Sequence, residues 1–303
     1  MMRSSMLLAT AVSVLLTAHA AAHVGVTIEY PSVPDPQSMT IDGKDDDWGW
    51  FAQEYILQQE DFFDRESPSV DKSDFDFVIY TAWSPPPDNS WYMFARFHDD
   101  TLKVDNDDPL NWWQDDALQV TVDADHSGGS IFGFTREELV NGQRLYARSW
   151  PPAGQELLLH GQAGFLDQHH DPYLTELQWI TDRPFFEVAW TIDPPDATNG
   201  ATGVTYTYEW KTAMWDVLGN SPEESTRHIF GAGDVVHIGY RPLDADRPGR
   251  GRKHSMYVLG GNMDQDKHGD EMPDFVAVET PRPSLVAPST WARIKWIIRN
   301  RLR

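Results

Sequence analysis

The amino-acid sequence predicts an all-β fold, an antiparallel β-sandwich of jelly-roll or immunoglobulin-like type with a short C-terminal helix. Three observations carry that expectation. Short runs rich in aromatic and β-branched residues recur along the chain, each bounded by Pro, Gly, Asn or Asp. Within "DALQVTVDA" (116–124), Leu118, Val120 and Val122 alternate with Gln119 and Thr121, the period of a half-buried strand. No helical period is sustained before the tail.

The elements follow in order. Arg3 precedes an apolar run from Met6 to about Leu16 and then small residues, so residues 1–22 read as a signal peptide cleaved after Ala20 or Ala22. The expected destination is secretion, whether periplasmic, cell-surface or extracellular. The apolar run is too short to span a bilayer, and no later segment is long enough, so no transmembrane span is expected. Residues 23–285 read as one module. Its strands are expected at "FDFVIYTAW" (75–83), "SWYMFARFH" (90–98), 116–124, "FFEVAWTI" (185–192), "VTYTYEW" (204–210), "GDVVHIGYRPL" (233–243) and "HSMYVLGG" (254–261). "TREELVNG" (135–142) has Thr135 and Glu138 at capping-box spacing, and "PEESTRHIF" (222–230) can hold a turn of helix. Residues 286–303 form a basic amphipathic tail. On a helix, Trp291, Ile294, Ile298 and Leu302 line one face among five basic residues. Three destinations suit such a tail: its own acidic domain, a partner, or a membrane surface.

Composition narrows the function classes. There is no cysteine, so an exported chain must take its stability from a large core or from bound ions. The net charge of −23 argues against nucleic acid as a partner and suits cation binding.

Several pieces then line up in sequence. "MTIDGKDDDWGWF" (39–51) reads as an opening strand with an Ile-Asp-Gly…Asp-Asp-Trp signature, and "WYMFARFHDDTLKV" (91–104) as a strand running into an acidic turn. "NWWQDDALQVTVDAD" (111–125), "YTYEWKTAMW" (206–215) and "GAGDVVHIGYRPLDAD" (231–246) follow. Together, over roughly residues 38–278, they resemble the carbohydrate-binding module family 9-like domains of the DOMON-like sandwich group. The resemblance implies a noncatalytic glycan-binding sandwich whose partner is a polysaccharide or oligosaccharide. In sugar-binding members two aromatic rings clamp the sugar. Trp112 or Trp113 matches the first ring, while the late loop offers only Tyr257. Gln119 stands where the pattern carries an acid.

The residues themselves allow the same chemistry. Sugar recognition needs flat apolar faces beside planar polar groups. Trp112 and Trp113 are adjacent, so on an extended chain one faces in and one faces out. Gln119 is a candidate hydroxyl partner, and Trp210 and Trp215 are further candidate rings. Calcium needs converging hard oxygens. "MDQDKHGDEMPDF" (263–275) offers Asp264, Asp266, Asp270 and Asp274 in a stagger like an extracellular calcium loop, and "DADHSGG" (123–129) offers Asp123 and Asp125. "DADRPGRG" (244–251) imitates the start of such a loop, with Arg247 and Arg250 at hand to neutralise it. Catalysis lacks a motif: there is no Gly-x-Ser-x-Gly, no His-Glu-x-x-His and no thiol. The rival class is a haem b electron carrier, with Met93 and Lys253, His254 or Met256 as axial ligands. It stands behind a surface interaction protein without a sugar site.

Overall fold

In the computed structural model the described residues are 26–105, 114–129, 132–133, 143–147, 149–150, 156–157, 160–163, 165–166, 179–180, 182–219, 221–246 and 253–280. The signal peptide, Trp112 and Trp113, the "TREELVNG" stretch and the C-terminal tail lie outside them.

Two sheets carry the fold. One holds eight strands: β1 (Thr27–Pro31), β3 (Phe62–Asp64), β6 (Ala117–Asp123), β7 (Gln143–Ala147), β8 (His160–Ala163), β11 (Val235–Asp244), β12 (His254–Val258) and β13 (Asp274–Val278). The other holds five: β2 (Leu57–Gln58), β4 (Phe75–Trp83), β5 (Trp91–Thr101), β9 (Phe186–Asp193) and β10 (Thr202–Thr212). In the first the order is β1-β13-β11-β6-β7-β8, with β12 on β11 and β3 on β12. In the second it is β9-β10-β5-β4-β2. The seven strands expected from sequence all form, with ends within a few residues of the expected ones. One expectation needs correcting. β1 pairs parallel with β13, so the larger sheet is mixed rather than purely antiparallel.

The alternation explains the layers. Along β5, Trp91, Met93, Ala95 and Phe97 point inward beside Tyr206, Tyr208 and Trp210 of the neighbouring β10, and Leu118, Val120 and Val122 of β6 in the other sheet share the core with them. Ile238 and Tyr240 of β11 and Phe275 of β13 join it, with Trp91 and Tyr240 ring centroids 6.4 Å apart. The outer face of the five-stranded sheet is also apolar, at Tyr92 and Phe94. It is covered by Val33, Trp48 and Phe51 from the segment that follows β1.

That covering segment is where the sequence reading misjudged local structure. Residues 39–51 form no strand; they cross the sheet as irregular chain with a 3-10 turn at Asp46–Trp48. What holds them is Glu209, buried on the outer face of β10. Its carboxylate accepts from Asp42 N (2.9 Å), Gly43 N (2.8 Å) and Trp48 Nε1 (2.9 Å). Gly43 has φ +81°, and a Cβ there would lie 2.7 Å from the Trp190 carbonyl carbon, so both backbone sign and space require glycine. The Ile-Asp-Gly…Trp signature and the Glu-containing strand are therefore one physical unit. Burial raises the Glu209 carboxyl above its ordinary range.

Candidate functional site

β11 lies between β6 on one edge and β13 and β12 on the other, and its register decides which side chains meet. On the face turned away from the core, Arg241 stands opposite Gln119 and His237 opposite Asp123. His237 also stands opposite Asp274 of β13. Gly239 lies between them, with the carbonyl oxygen of Gln265 2.6 Å from the place a Cβ would take. The Leu259–Pro273 segment therefore rests on the middle of β11, and only glycine permits that approach.

Arg241 organises the first cluster. Its Nη1 donates to Gln119 Oε1 (3.2 Å) and Asp266 Oδ2 (2.7 Å), and its Nε donates to Ser255 Oγ (3.0 Å). The guanidinium sits 5.2 Å from the centroid of the Tyr257 ring, which stacks on Phe63. Gln119 and Tyr257, which sequence named separately, thus meet in one cluster through an arginine it did not name. Gln119 is 1 % exposed, Arg241 7 % and Tyr257 0 %.

The acids of the two expected calcium loops divide. Asp266 pairs with Arg241, and Asp264 is exposed at the loop tip. The others gather round the Gly128-Gly129 turn. Asp123 Oδ2 accepts from Gly128 N and Asp270 Oδ2 from Gly129 N, while Asp125 accepts from Ser127 Oγ. Asp274 approaches His126 and His237. The two runs build one neighbourhood.

The opposite end of β11 is different. Asp244 continues the inward parity of Ile238 and Tyr240, Asp99 continues that of Phe97 on β5, and Asp116 precedes Leu118 by the same step. All three are buried, at the end of the core and between the sheets. Asp246, Asp100 and Asp74 border them. Within each of the triads Asp99–Asp244–Asp246 and Asp74–Asp100–Asp246, one oxygen per residue lies within 4.8 Å of the others. Asp99 Oδ2, Asp100 Oδ1, Asp244 Oδ2 and Asp246 Oδ1 are buried and accept no hydrogen bond. The cations at hand are Lys253, bonded to Asp74 and Asp246, and His254, bonded to Asp64 and Asp74. Burial, reinforced by Asp246 and Asp100, pushes Asp99 up to about 7. Burial, reinforced by Asp246 and Asp99, pushes Asp244 up to about 8. Asp116 is held well above its ordinary value by burial and then by Asp99 and Asp244. Sequence reading noticed Asp244 and Asp246 but not Asp99 or Asp74. The available signal was parity, since acids occupy positions that the alternation assigns to the core.

The remaining candidates lie in packed or ion-paired surroundings. Trp210 lies in the core against Trp91 (5.9 Å) and Phe186 (6.0 Å). Trp215 packs edge-on to Trp179 (4.9 Å) and Phe185 (5.2 Å). Met93 and Met256 are core side chains, and Lys253 and His254 are bound to carboxylates as above. His126 and His237 were not named from sequence. No local motif marks them, because strand register alone brings them together.

No protein-family profile and no curated protein matches the chain. Solved structures do. A carbohydrate binding module family 9 from Caldicellulosiruptor kristjanssonii in complex with cellotriose is 14 % identical, covers 87 % of this chain and 97 % of its own, and has a TM-score of 0.51. The same module in complex with glucose is 14 % identical, covers 86 % and 100 %, and has a TM-score of 0.52. Identity this low leaves a likeness of architecture: the chain has the all-β sandwich fold of the carbohydrate-binding family 9 structures.

Proposed function

We propose that this chain is an exported, noncatalytic glycan-binding protein whose loops are stabilised by calcium. The observation that carries the binding reading is the sandwich fold shared with a module crystallised with cellotriose and glucose. The Gln119–Arg241–Tyr257 cluster, a planar amide and guanidinium against an aromatic ring, lies buried on the sheet face turned away from the core and fixes that face from beneath. Trp112 and Trp113 lie just before β6 in sequence, with Gln114, Asp115 and Asp116 between, and are the candidate stacking rings. The fold likeness to a module crystallised with cellotriose and glucose supports a polysaccharide or oligosaccharide as ligand. A glycan panel run in calcium tests it. Binding that falls in Trp112→Ala or Trp113→Ala is expected, and no binding across the panel would overturn the reading.

The calcium part rests on the carboxylates where the "DADRPGRG" loop leaves β11 and its acids meet Asp99, Asp100 and Asp74. Four buried oxygens without a donor, on hard carboxylate ligands, fit calcium chemistry. Asp99, Asp244 and Asp246 would hold the ion, with Asp100 and Asp74 beside them. Bound there, it would supply positive charge where Lys253 and His254 do not suffice.

A second reading, a surface interaction protein with this fold and no sugar site, is favoured by the enclosure of Gln119, Arg241 and Tyr257, all under a tenth exposed. The same panel separates the two. Under the second reading no glycan binds, and Trp112→Ala and Trp113→Ala leave the chain folded and unchanged in that assay.

A further inference from the structure

We infer that His126, His237 and Asp274 form a binding site for a first-row transition-metal ion of the zinc class, distinct from the carboxylate cluster at the far end of β11. Three adjacent strands present Asp123, His237 and Asp274 in one cross-strand row. His126 reaches over that row from the turn after β6, its ring 4.0 Å from that of His237. His126 Nε2 lies 3.1 Å and His237 Nε2 3.2 Å from the same Asp274 Oδ1. Ligands on a tetrahedral zinc at about 2.0–2.1 Å stand about 3.3 Å apart; the two nitrogen–oxygen separations match that spacing, and all three ligand atoms lie within 4.8 Å of one another.

The far side of His237 is arranged to match. Its Nδ1 lies 2.8 Å from Asp123 Oδ2, an oxygen that also accepts from Gly128 N at 2.8 Å. A carboxylate that accepts there puts the proton on Nδ1 and leaves Nε2 to face Asp274 and His126. This is the carboxylate–histidine arrangement that orients an imidazole and strengthens it as a ligand. His126 is held at φ +54°, a sparsely populated conformation for a non-glycine residue, by a turn whose glycine amides are tied to Asp123 and Asp270.

Ligand type selects the metal. Two imidazoles and one carboxylate suit zinc and its neighbours, whereas calcium takes oxygen donors. His237 and Asp123 are fully buried, while the side chains of His126 and Asp274 are 28 % and 22 % exposed. The ion therefore has a protein floor and a solvent-facing side, which gives it an access path and a fourth position for water.

The test uses cobalt(II) as a visible probe on the full chain, stripped with EDTA and returned to calcium. One cobalt per chain with the strong visible absorption of four-coordinate cobalt is expected, and excess calcium should not displace it. His126→Ala, in a part-exposed turn, and Asp274→Asn should each weaken uptake at least about tenfold, and Asp123→Asn by about tenfold. Circular dichroism and the melting temperature of His126→Ala, measured in calcium alone, should match the parent and so exclude misfolding as the cause. Absence of stoichiometric cobalt would overturn the assignment and leave the cluster a proton-bridged ion pair. Uptake unchanged in His126→Ala and Asp274→Asn, or cobalt displaced by calcium, would overturn it equally.

Discussion

The two ends of β11 handle buried acid in opposite ways. At the His237 end the acids face away from the core and meet imidazoles, backbone amides and solvent. At the Asp244 end they face inward, between the sheets, where backbone amides, Lys253 and His254 take some oxygens and leave others facing neighbouring carboxylates. The residue type is the same; strand parity and the neighbouring element decide its partners. A carboxylate on the outer face can be satisfied by a turn laid over it. One that continues the inward face enters low dielectric, where the oxygens that no amide reaches are stabilised by a proton or a cation.

The largest effect expected from that contrast is in pH. Asp99 and Asp244 have folded values raised far above the ordinary carboxylate range, so the folded state keeps protons that the unfolded chain has lost. Their contribution is therefore greatest near pH 4 and falls as pH rises through about 7 and 8. His254, raised by Asp64 and Asp74 against the opposing effect of burial, has the same sign, since its stabilisation is lost on the alkaline side. In EDTA, unfolding free energy should drop by roughly 4 kcal/mol across that window, and saturating calcium should flatten the curve. Urea titrations at several pH values check this; a flat curve in EDTA would remove the distinction between the two ends.

Arg241→Ala comes next. It leaves Asp266 buried without its cation and should cost about 3 kcal/mol by denaturant titration, in calcium and in EDTA alike. Asp99→Asn sharpens the comparison through a change of sign. It should lower stability by about 2.7 kcal/mol at a hundredfold excess of calcium over the dissociation constant, and raise the melting temperature in EDTA. A loss of equal size in both conditions would mean that Asp99 holds no ion. Gly239→Ala is the mildest of the four, at about 2 kcal/mol, because the new methyl meets the Gln265 carbonyl and lifts the Leu259–Pro273 segment off β11. It should weaken cobalt uptake at the His237 end while leaving the calcium response of the Asp244 end intact, a split that parallel titrations would register.

Much of the architecture was legible in the sequence. Alternation in "FDFVIYTAW" and "DALQVTVDA" placed β4 and β6 because a period of two is a local property of the chain. The joining of residues 39–51 to Glu209 was not legible, since its cause is a set of hydrogen bonds across more than 160 residues of sequence. Trp210 was legible as strand but not as core, because an aromatic ring can serve either face and only the register to β5 assigns it.

What the sequence determined by itself was the class of fold, the strand positions, and the excess of acid that has to be neutralised somewhere. Those follow from periodicity and composition, which act residue by residue. Tertiary structure alone decided which acids meet. It set Asp123, His237 and Asp274 side by side, joined Gln119 to Tyr257 through Arg241, and turned Asp99 toward Asp244 between the sheets. Pairing register is fixed by the packing of whole sheets, and a shift of one residue would send every one of these side chains to the other face.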